Sequence, residues 1–337
     1  MHFSLAIFFV SHYVGLALLT LICYLIGNRI IGRIAYSSGA EKFCFCTALG
    51  LGTIANLVLG LGLLHWLTRG VILTLFLVIA LVLGQPWRLG QELNRILQRL
   101  KSRRAFVYGL IALVLIPLLL LPLYPPTQWD ATSYHLAAAK IYAKSQAVVF
   151  TPYLRFPVFP QLNEMLFTLM LIVYDDISAQ LVQFLAMVLV GTALYAWGRR
   201  AFNSRVGLFA AVLWVSNPIV LWLGASAYID AGMVLLVLLA VYAFFNWFQL
   251  RSREWLLLSA ALFGFAAGSK YLALVHLAAC GIFLLCVSLK DRKIKELILF
   301  VLMVAAVASP WYIRNIYYTH NPVWPYFASR LGNGTWT

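Results

Sequence analysis

Apolar stretches recur along the chain, most of them roughly 17–25 residues long, which is what a helix needs to cross a hydrocarbon core. None alternates between apolar and polar positions as a barrel strand would, and a backbone in lipid must satisfy its own hydrogen bonds. The pattern predicts an all-α, polytopic transmembrane helical bundle of about ten spans. The first stretch has no basic region or cleavage site, so we predict a retained span rather than a signal peptide. We place the spans at residues 3–27, 43–64, 71–86, 105–123, 177–197, 206–223, 229–249, 255–270, 271–289 and 295–313.

The composition is that of a membrane protein, since 63% of the 337 residues are hydrophobic and only 10% are charged. A formal net charge of +15 could suggest nucleic acid, but the basic residues lie in short clusters between apolar stretches, as in cytoplasmic loops. We therefore expect anionic membrane lipid as a partner and no nucleic acid. The five cysteines lie within apolar stretches, without the spacing of metal ligands.

The most basic loop, at residues 85–104, fixes the predicted topology. It opposes six basic residues to the single Glu92, and its leucines recur at helical spacing, so we predict a cytoplasmic amphipathic helix. The N-terminus and residues 124–160 then lie outside. Residues 161–174 must form an interfacial or re-entrant helix, because a full crossing would invert every later loop. The other basic loops, which this topology places inside, are 28–33, 198–205, 251–254 and 290–296.

The scarce polar residues near the ends of the spans fall on the non-cytoplasmic side in this topology. Ionisable groups at membrane depth are costly and usually face a cavity or one another, so their convergence predicts a functional site. The residues concerned are Asp130, His135, Arg155, Asp230, Lys270, Arg314 and His320.

Asp130 is the first candidate for chemistry. It follows the rigid segment YPPTQW, and it is either a site carboxylate or the cap of a short helix that begins at Ala131. Tyr134 lies one turn later, which could bring its hydroxyl near the carboxylate. His135 is either a base in the site or a hydrogen-bonded histidine at the interface.

Other charged residues also keep two interpretations each. Lys270 either contacts a phosphate or extends to the membrane surface, and Asp230 either serves the site or caps the helix that follows it. Arg155 and Glu164 either pair with each other or contact an acceptor. Arg314 lies among aromatic residues of the kind found at any membrane interface.

Three short patterns have simple structural explanations. Gly264 and Gly268 form a small-xxx-small pattern that packs helices together. Asp175 and Asp176 are adjacent carboxylates that either belong to a site or form a solvated turn. The sequence NGT at 333–335 matches a glycosylation acceptor, but a motif this short often arises by chance.

Residues 105–327 resemble the GT-C superfamily of integral-membrane glycosyltransferases, which use polyprenyl-phosphate sugars as donors. The likeness begins with a long external loop that carries an aspartate just after a span. It continues through four segments in order, namely RFPVFPQLNEMLF, NPIVLWLGASAYIDAGMVLL, GFAAGSKYLAL and SPWYIRNIYYTHNPVWPYF. The nearest types are the protein mannosyltransferases, the lipid A aminoarabinose transferases and bacterial relatives that act on surface polysaccharide.

The resemblance implies a role for Asp130 as the base that takes the acceptor's proton while polyprenyl phosphate departs as an anion. Fixed cations stabilise that anion, and Lys270, Arg155 and Arg314 are the candidates. The residues implied in substrate binding are Tyr134, His135, Arg155, Glu164, Asp230, Lys270, Tyr271, Arg314 and His320.

The first loop departs from the superfamily in one respect. Many relatives carry two adjacent acidic residues there, whereas Asp130 is followed by Ala131. A single carboxylate without an acidic neighbour is a poor site for Mg²⁺ or Mn²⁺, which favour several oxygen ligands. We therefore expect no metal and no other cofactor.

Together these patterns predict an inverting glycosyltransferase of the bacterial inner membrane, with its site facing the periplasm or exterior and a lipid, glycan or protein as acceptor. Residues 1–104 form an N-terminal membrane region and residues 105–337 the GT-C-like core, which we expect to be either truncated at its C-terminus or an unusually short member. The alternatives are a transporter or flippase of a lipid-linked saccharide and a non-catalytic assembly subunit. A transporter is expected to show internal repeats or ionisable residues at the bilayer midplane, and we find neither pattern.

Overall fold

The computed structural model describes residues 2–32, 34–84, 118–292 and 294–331, and this part of the chain consists of helices without strands. The predicted all-α class is confirmed, and the protein is an integral, multi-pass membrane protein. The α-helices are α1 (His2–Ile30), α2 (Gly39–Leu63), α3 (Arg69–Leu83), α4 (Leu136–Ser145), α5 (Leu162–Val173), α6 (Asp176–Ala201), α7 (Ser204–Ser216), α8 (Pro218–Gly224), α9 (Asp230–Leu250), α10 (Arg253–Ala267), α11 (Ala273–Lys290), α12 (Ile294–Thr319) and α13 (Ala328–Leu331).

The predicted number of ten spans is too high for the described residues. Six helices there are long and apolar enough to cross a membrane, or seven if α7 and α8 form one broken span. Helices α3 and α10 have 15 residues each, which is about 22 Å of helix against a hydrocarbon core of about 30 Å. Helices α7 and α8 meet at 71°, because Pro218 lacks an N–H and the Asn217 side chain caps the new helix instead.

The bundle packs tightly where glycines let two helices touch. A Cβ on Gly27 or Gly50 would collide with the backbone of the facing helix in the α1–α2 pair. Gly264 and Gly268 of the α10 segment lie against Val307 and Trp311 of α12. The predicted helix-packing role of these last two glycines is confirmed.

One end of the bundle, called the Arg200 end below, is held by a buried carboxylate. Glu41 is fully buried and accepts a hydrogen bond from the Arg200 guanidinium at 2.8 Å and another from the Asn246 side chain at 3.2 Å. It also accepts from the backbone N–H and the hydroxyl of Ser37. These contacts join the start of α2 to the end of α6 and the last turns of α9.

Helix α5 does not cross the bundle. Its 12 residues span about 18 Å. Asn163 near its start bonds to Ser269, which follows α10, and Tyr174 at its end lies 2.8 Å from the Ser11 hydroxyl in the first half of α1. Both contacts lie towards the end opposite Arg200, called the site end below, in agreement with the predicted short segment at 161–174.

Three predictions lie outside the described residues. They are the amphipathic helix at 85–104, most of the span at 105–123 and the NGT motif at 333–335.

Candidate active site

Asp130 opens a short helical segment at the site end. The following turn, Ala131–His135, is a π-turn that closes with a hydrogen bond from Leu136 N–H to the Ala131 carbonyl. The backbone dihedrals of Asp130 are already helical, whereas a capping residue has an extended backbone. The Asp130 carboxylate also makes no capping hydrogen bond. The interpretation of Asp130 as a helix cap is therefore wrong, and the carboxylate is left to other partners.

Tyr134 lies beside this carboxylate. Burial, followed by a hydrogen bond to Asp130 and the nearby charges of Asp130 and Glu164, raises the pKa of the Tyr134 phenol above its ordinary value of 10.0. The hydroxyl therefore remains protonated at neutral pH and is available as a donor beside Asp130. The Tyr228 hydroxyl also lies 3.5 Å from the backbone nitrogen of Asp130. The predicted proximity of Tyr134 and Asp130 is confirmed.

His135 and Glu164 form a buried pair. Nδ1 of His135 lies 2.6 Å from Oε1 of Glu164, and neither side chain is more than 4% exposed. This contact overturns the predicted alternative in which Glu164 pairs with Arg155. The Arg155 guanidinium instead lies over the rings of Trp129 and Phe156, at 5.1 and 5.6 Å from their centroids.

Asp230 and Lys270 form a second pair at the site end. The Lys270 ammonium donates to Oδ1 of Asp230 at 2.8 Å, and the two side chains are 40% and 27% exposed. Helix α9 begins at Asp230 itself, and Ile229 occupies the cap position without a capping side-chain hydrogen bond. The predicted cap is therefore wrong, although the carboxylate still lies in the first turn, where the helix dipole favours negative charge.

A buried hydrogen-bond chain joins residues that neighbour these two pairs in the sequence. The Asn163 side chain, next to Glu164, donates to the hydroxyl of Ser269, next to Lys270. Gln183 donates to the Asn163 carbonyl at 3.2 Å and accepts from Gly232 N–H at 2.9 Å. Asp130, Tyr134, His135, Glu164, Asp230 and Lys270 therefore lie at the same end of the bundle, and they are called the polar cluster below.

Arg314 lies on α12 beside this cluster and is only 6% exposed. Its guanidinium donates to the Gln161 carbonyl at 2.6 Å and to the Tyr142 hydroxyl at 2.9 Å. No carboxylate among the described residues forms an ion pair with it, so both partners are neutral. Leu162, next to Gln161, donates its N–H to the Gly268 carbonyl, which ties Arg314 to the turn that carries Lys270.

The remaining predicted site residues lie further from the cluster. Tyr271 donates to the Trp324 carbonyl at 2.8 Å and accepts from Asn315 at 2.6 Å, and burial raises the pKa of its phenol. His320 is exposed, just beyond the end of α12. The structure gives Tyr271 a role in joining α12 to the following loop, and it does not bring His320 to the cluster.

Four uncharged residues of the site escaped the sequence prediction. All are buried polar side chains within otherwise apolar or Pro-rich segments, and that contrast is the signal that could have singled them out. They are Tyr142, Gln161, Asn163 and Gln183.

Asp175 and Asp176 lie outside the cluster. Asp175 caps α6 through Ser178 N–H and lies 2.9 Å from Nε2 of the buried His12, while Asp176 pairs with Lys140 at 3.0 Å. These contacts favour the structural interpretation of the pair. Within the described ranges, no three histidine, cysteine or acidic side chains lie close enough together to hold a metal ion.

Two hollows in the described part of the protein lie away from the cluster. One of about 690 Å³ is lined by Arg29, Glu254 and Met303, among others. The other is a groove of about 450 Å³ between α11 and α12, and every residue that lines it is apolar.

Residues 157–313 match the family described as dolichyl-phosphate-mannose-protein mannosyltransferase. This match confirms the resemblance to the GT-C superfamily of membrane glycosyltransferases. The matched region contains Glu164, Asp230 and Lys270 and ends one residue before Arg314, whereas Asp130 precedes it.

A sequence comparison also finds a relative in Shigella flexneri. An uncharacterized protein of Shigella flexneri is 33% identical over 132 residues, which cover 39% of this chain and 66% of that protein. The chain thus spans just under two thirds of the length of this relative. No solved structure gives a significant match.

Proposed function

We propose that the protein transfers a sugar from a polyprenyl-phosphate donor to an acceptor, with inversion, at the site end of the bundle on the extracytoplasmic face. The observation that carries this proposal is the state of Asp130. Its carboxylate makes no capping bond, lies beside Tyr134, and is at the same end of the bundle as Lys270 and Arg314. The family match supports a glycosyltransferase as the class of enzyme.

In the proposed reaction, Asp130 is the base. The acceptor hydroxyl or amine attacks the anomeric carbon of the sugar from the face opposite the phosphate, and its proton passes to the Asp130 carboxylate. The bond from the anomeric carbon to the phosphate oxygen breaks, and its electron pair leaves with polyprenyl phosphate. The Tyr134 hydroxyl holds the carboxylate in the orientation that receives the proton.

Arg314 is the main candidate for binding the phosphate. A buried charge without a counter-ion is unfavourable, and its two described partners, Gln161 and Tyr142, are neutral. A phosphate oxygen at the remaining guanidinium N–H groups would supply the missing negative charge. Lys270 already pairs with Asp230, so we assign it a second role. Its ammonium stabilises the negative charge that develops on the leaving oxygen.

The apolar groove between α11 and α12 fits the polyprenyl tail. Helix α11 begins three residues after Lys270, and α12 carries Arg314 near its end, so both helices run from the site end towards the Arg200 end. Apolar chain lies favourably along a wholly apolar groove, with its head at the two cations.

We propose further that the reaction needs no metal, because Arg314 and Lys270 supply the positive charge that a metal would otherwise provide. Transfer measured in excess EDTA is then expected to equal transfer in its absence. Complete loss that added Mg²⁺ or Mn²⁺ restores would contradict this part of the proposal.

The replacement Asp130→Asn tests the function directly. Using purified protein and a panel of polyprenyl-phosphate sugars, we expect a loss of transfer of roughly 10²–10⁴-fold, the usual contribution of a positioned base. The matched control is Asp291→Asn, which changes a partly exposed aspartate that pairs with Arg251 at the Arg200 end. Equal activity in both variants, or movement of a lipid-linked saccharide without transfer, would instead support a transporter or an assembly subunit.

A further inference from the structure

The buried pair of His135 and Glu164 needs a reason for its burial. The His135 side chain is 4% exposed and the Glu164 side chain 0%. Oε2 of Glu164 is buried and has no hydrogen-bond partner among the described residues. An oxygen of a carboxylate left unpaired in the interior is unfavourable, and such groups in folded proteins call for an explanation.

The pair is connected to Asp130 through one side chain. The rings of His135 and Tyr134 lie 4.3 Å apart between centroids, and the Tyr134 phenol lies close enough to Asp130 for that carboxylate to raise its pKa. The π-turn makes this arrangement possible, because its wider turn places residues 134 and 135 together beneath residue 130. A regular α-helical turn would bring only Tyr134 under the carboxylate.

We propose that Glu164 and His135 are positioning residues for Asp130, an inference that rests on the proposed function. In this proposal Nδ1–H of His135 donates to Oε1 of Glu164, and the bond fixes the ring in one tautomer and one plane. The fixed ring holds Tyr134, and the Tyr134 hydroxyl fixes the carboxylate. Neither member of the pair touches the substrate.

A double-mutant cycle tests whether the pair acts as one unit. Glu164→Ala and His135→Ala are each expected to lower kcat by about 10–100-fold through misplacement of the base, with less than about a threefold change in the KM for donor. The double variant is expected to lose no more kcat than the less active of the two single variants, because both changes break the same chain of contacts. If His135→Ala does not fold, His135→Asn replaces it, since the amide can donate to Glu164 but lacks the ring.

Conservative replacement gives a second reading. The amide oxygen of Glu164→Gln still accepts from Nδ1–H of His135, so we expect kcat within about threefold of the wild-type value. The matched control is Glu41→Gln, which alters a second glutamate that is fully buried, at the Arg200 end, and is expected to leave kcat per folded molecule unchanged.

A spectroscopic measurement separates this proposal from the proposed function. In ¹⁵N-histidine spectra of the purified protein, His135 is expected to show a hydrogen-bonded Nδ1 proton in the wild type and in Glu164→Gln, and to lose it in Glu164→Ala. Multiplied losses in the double variant, or full activity of Glu164→Ala, would overturn the positioning role while the function stands. An intact Nδ1 signal in a protein that transfers no sugar would overturn the function, and the positioning role with it.

Discussion

Arg314 shows how far a single residue can be interpreted from its surroundings. The sequence singles it out as a cation near the end of a span, but an aromatic interface around it offered an equally simple explanation. Its burial and its two neutral partners become visible only when Tyr142 of α4 and Gln161, which precedes α5, meet α12 in the folded chain. The same is true of His135 with Glu164 and Asp230 with Lys270, whose members lie far apart in the chain.

The replacement Arg314→Gln is expected to raise the KM for donor by at least about tenfold, because it removes a charge-assisted contact to phosphate. Stability without donor should change little, within about 1 kcal/mol, since an uncompensated buried charge is lost together with two hydrogen bonds. Donor kinetics and thermal unfolding of the same preparation check both parts. A large loss of stability with an unchanged KM would assign Arg314 to the fold alone.

The replacement Tyr134→Phe removes the donor that orients Asp130 and is expected to lower kcat about tenfold. Because burial and Asp130 raise the pKa of Tyr134 above 10.0, the phenol is protonated at every pH below that value. The shape of the kcat profile between pH 6 and pH 9 should therefore be the same in wild type and variant. An alkaline limb in this range that disappears in Tyr134→Phe would show that Tyr134 itself titrates.

At the scale of the helices, apolar patterning predicted nearly every element, but their lengths and bends limit the count of spans. A periodic run in a sequence does not show where a helix stops, as α3 and α10 illustrate with 15 residues each. The break between α7 and α8 depends on Pro218 and on the cap that Asn217 provides. The predictions that Asp130 and Asp230 cap helices are wrong for a related reason. A helix cap needs an extended backbone at one particular residue, and the sequence does not show which residue that is.

Helix-to-helix attachment at the Arg200 end is expected to depend on Glu41. Glu41→Ala leaves Arg200 and the Asn246 amide without their acceptor and should lower the free energy of unfolding by on the order of 3 kcal/mol. Asp291→Ala breaks the more exposed pair with Arg251 and should lower it by less than about 1 kcal/mol. Denaturation of both variants in detergent measures the difference, and similar losses would contradict the buried role of Glu41.

At the scale of the whole molecule, the basic loops predict which helix ends lie on the same side of the membrane, and the observed contacts agree with that grouping. The predicted cytoplasmic residues Arg200, Arg251 and Asp291 lie at helix ends away from the Asp130 cluster. The predicted topology requires that residues 161–174 do not cross the membrane, and the 12-residue α5 is short enough to agree with that. Which side of a membrane each end faces remains a prediction.

Cysteine labelling checks this orientation with a matched pair of lysines. In a background without the five native cysteines, Lys144→Cys at the site end should react with an impermeant maleimide added outside intact cells. Lys290→Cys at the other end should react only after the membrane is opened. The reverse result would place the Asp130 cluster in the cytoplasm.

The uncompensated charge of Arg314 also bears on turnover. The donor is a phosphodiester with one negative charge, whereas the departing polyprenyl phosphate is a monoester with about −1.5 to −2 near neutral pH, as in phosphoserine. A buried cation without a counter-ion should bind the monoester product more tightly than the diester donor. Release of the carrier, rather than bond breaking, would then set the pace of each cycle, and accumulated carrier would slow the enzyme in competition with its donor.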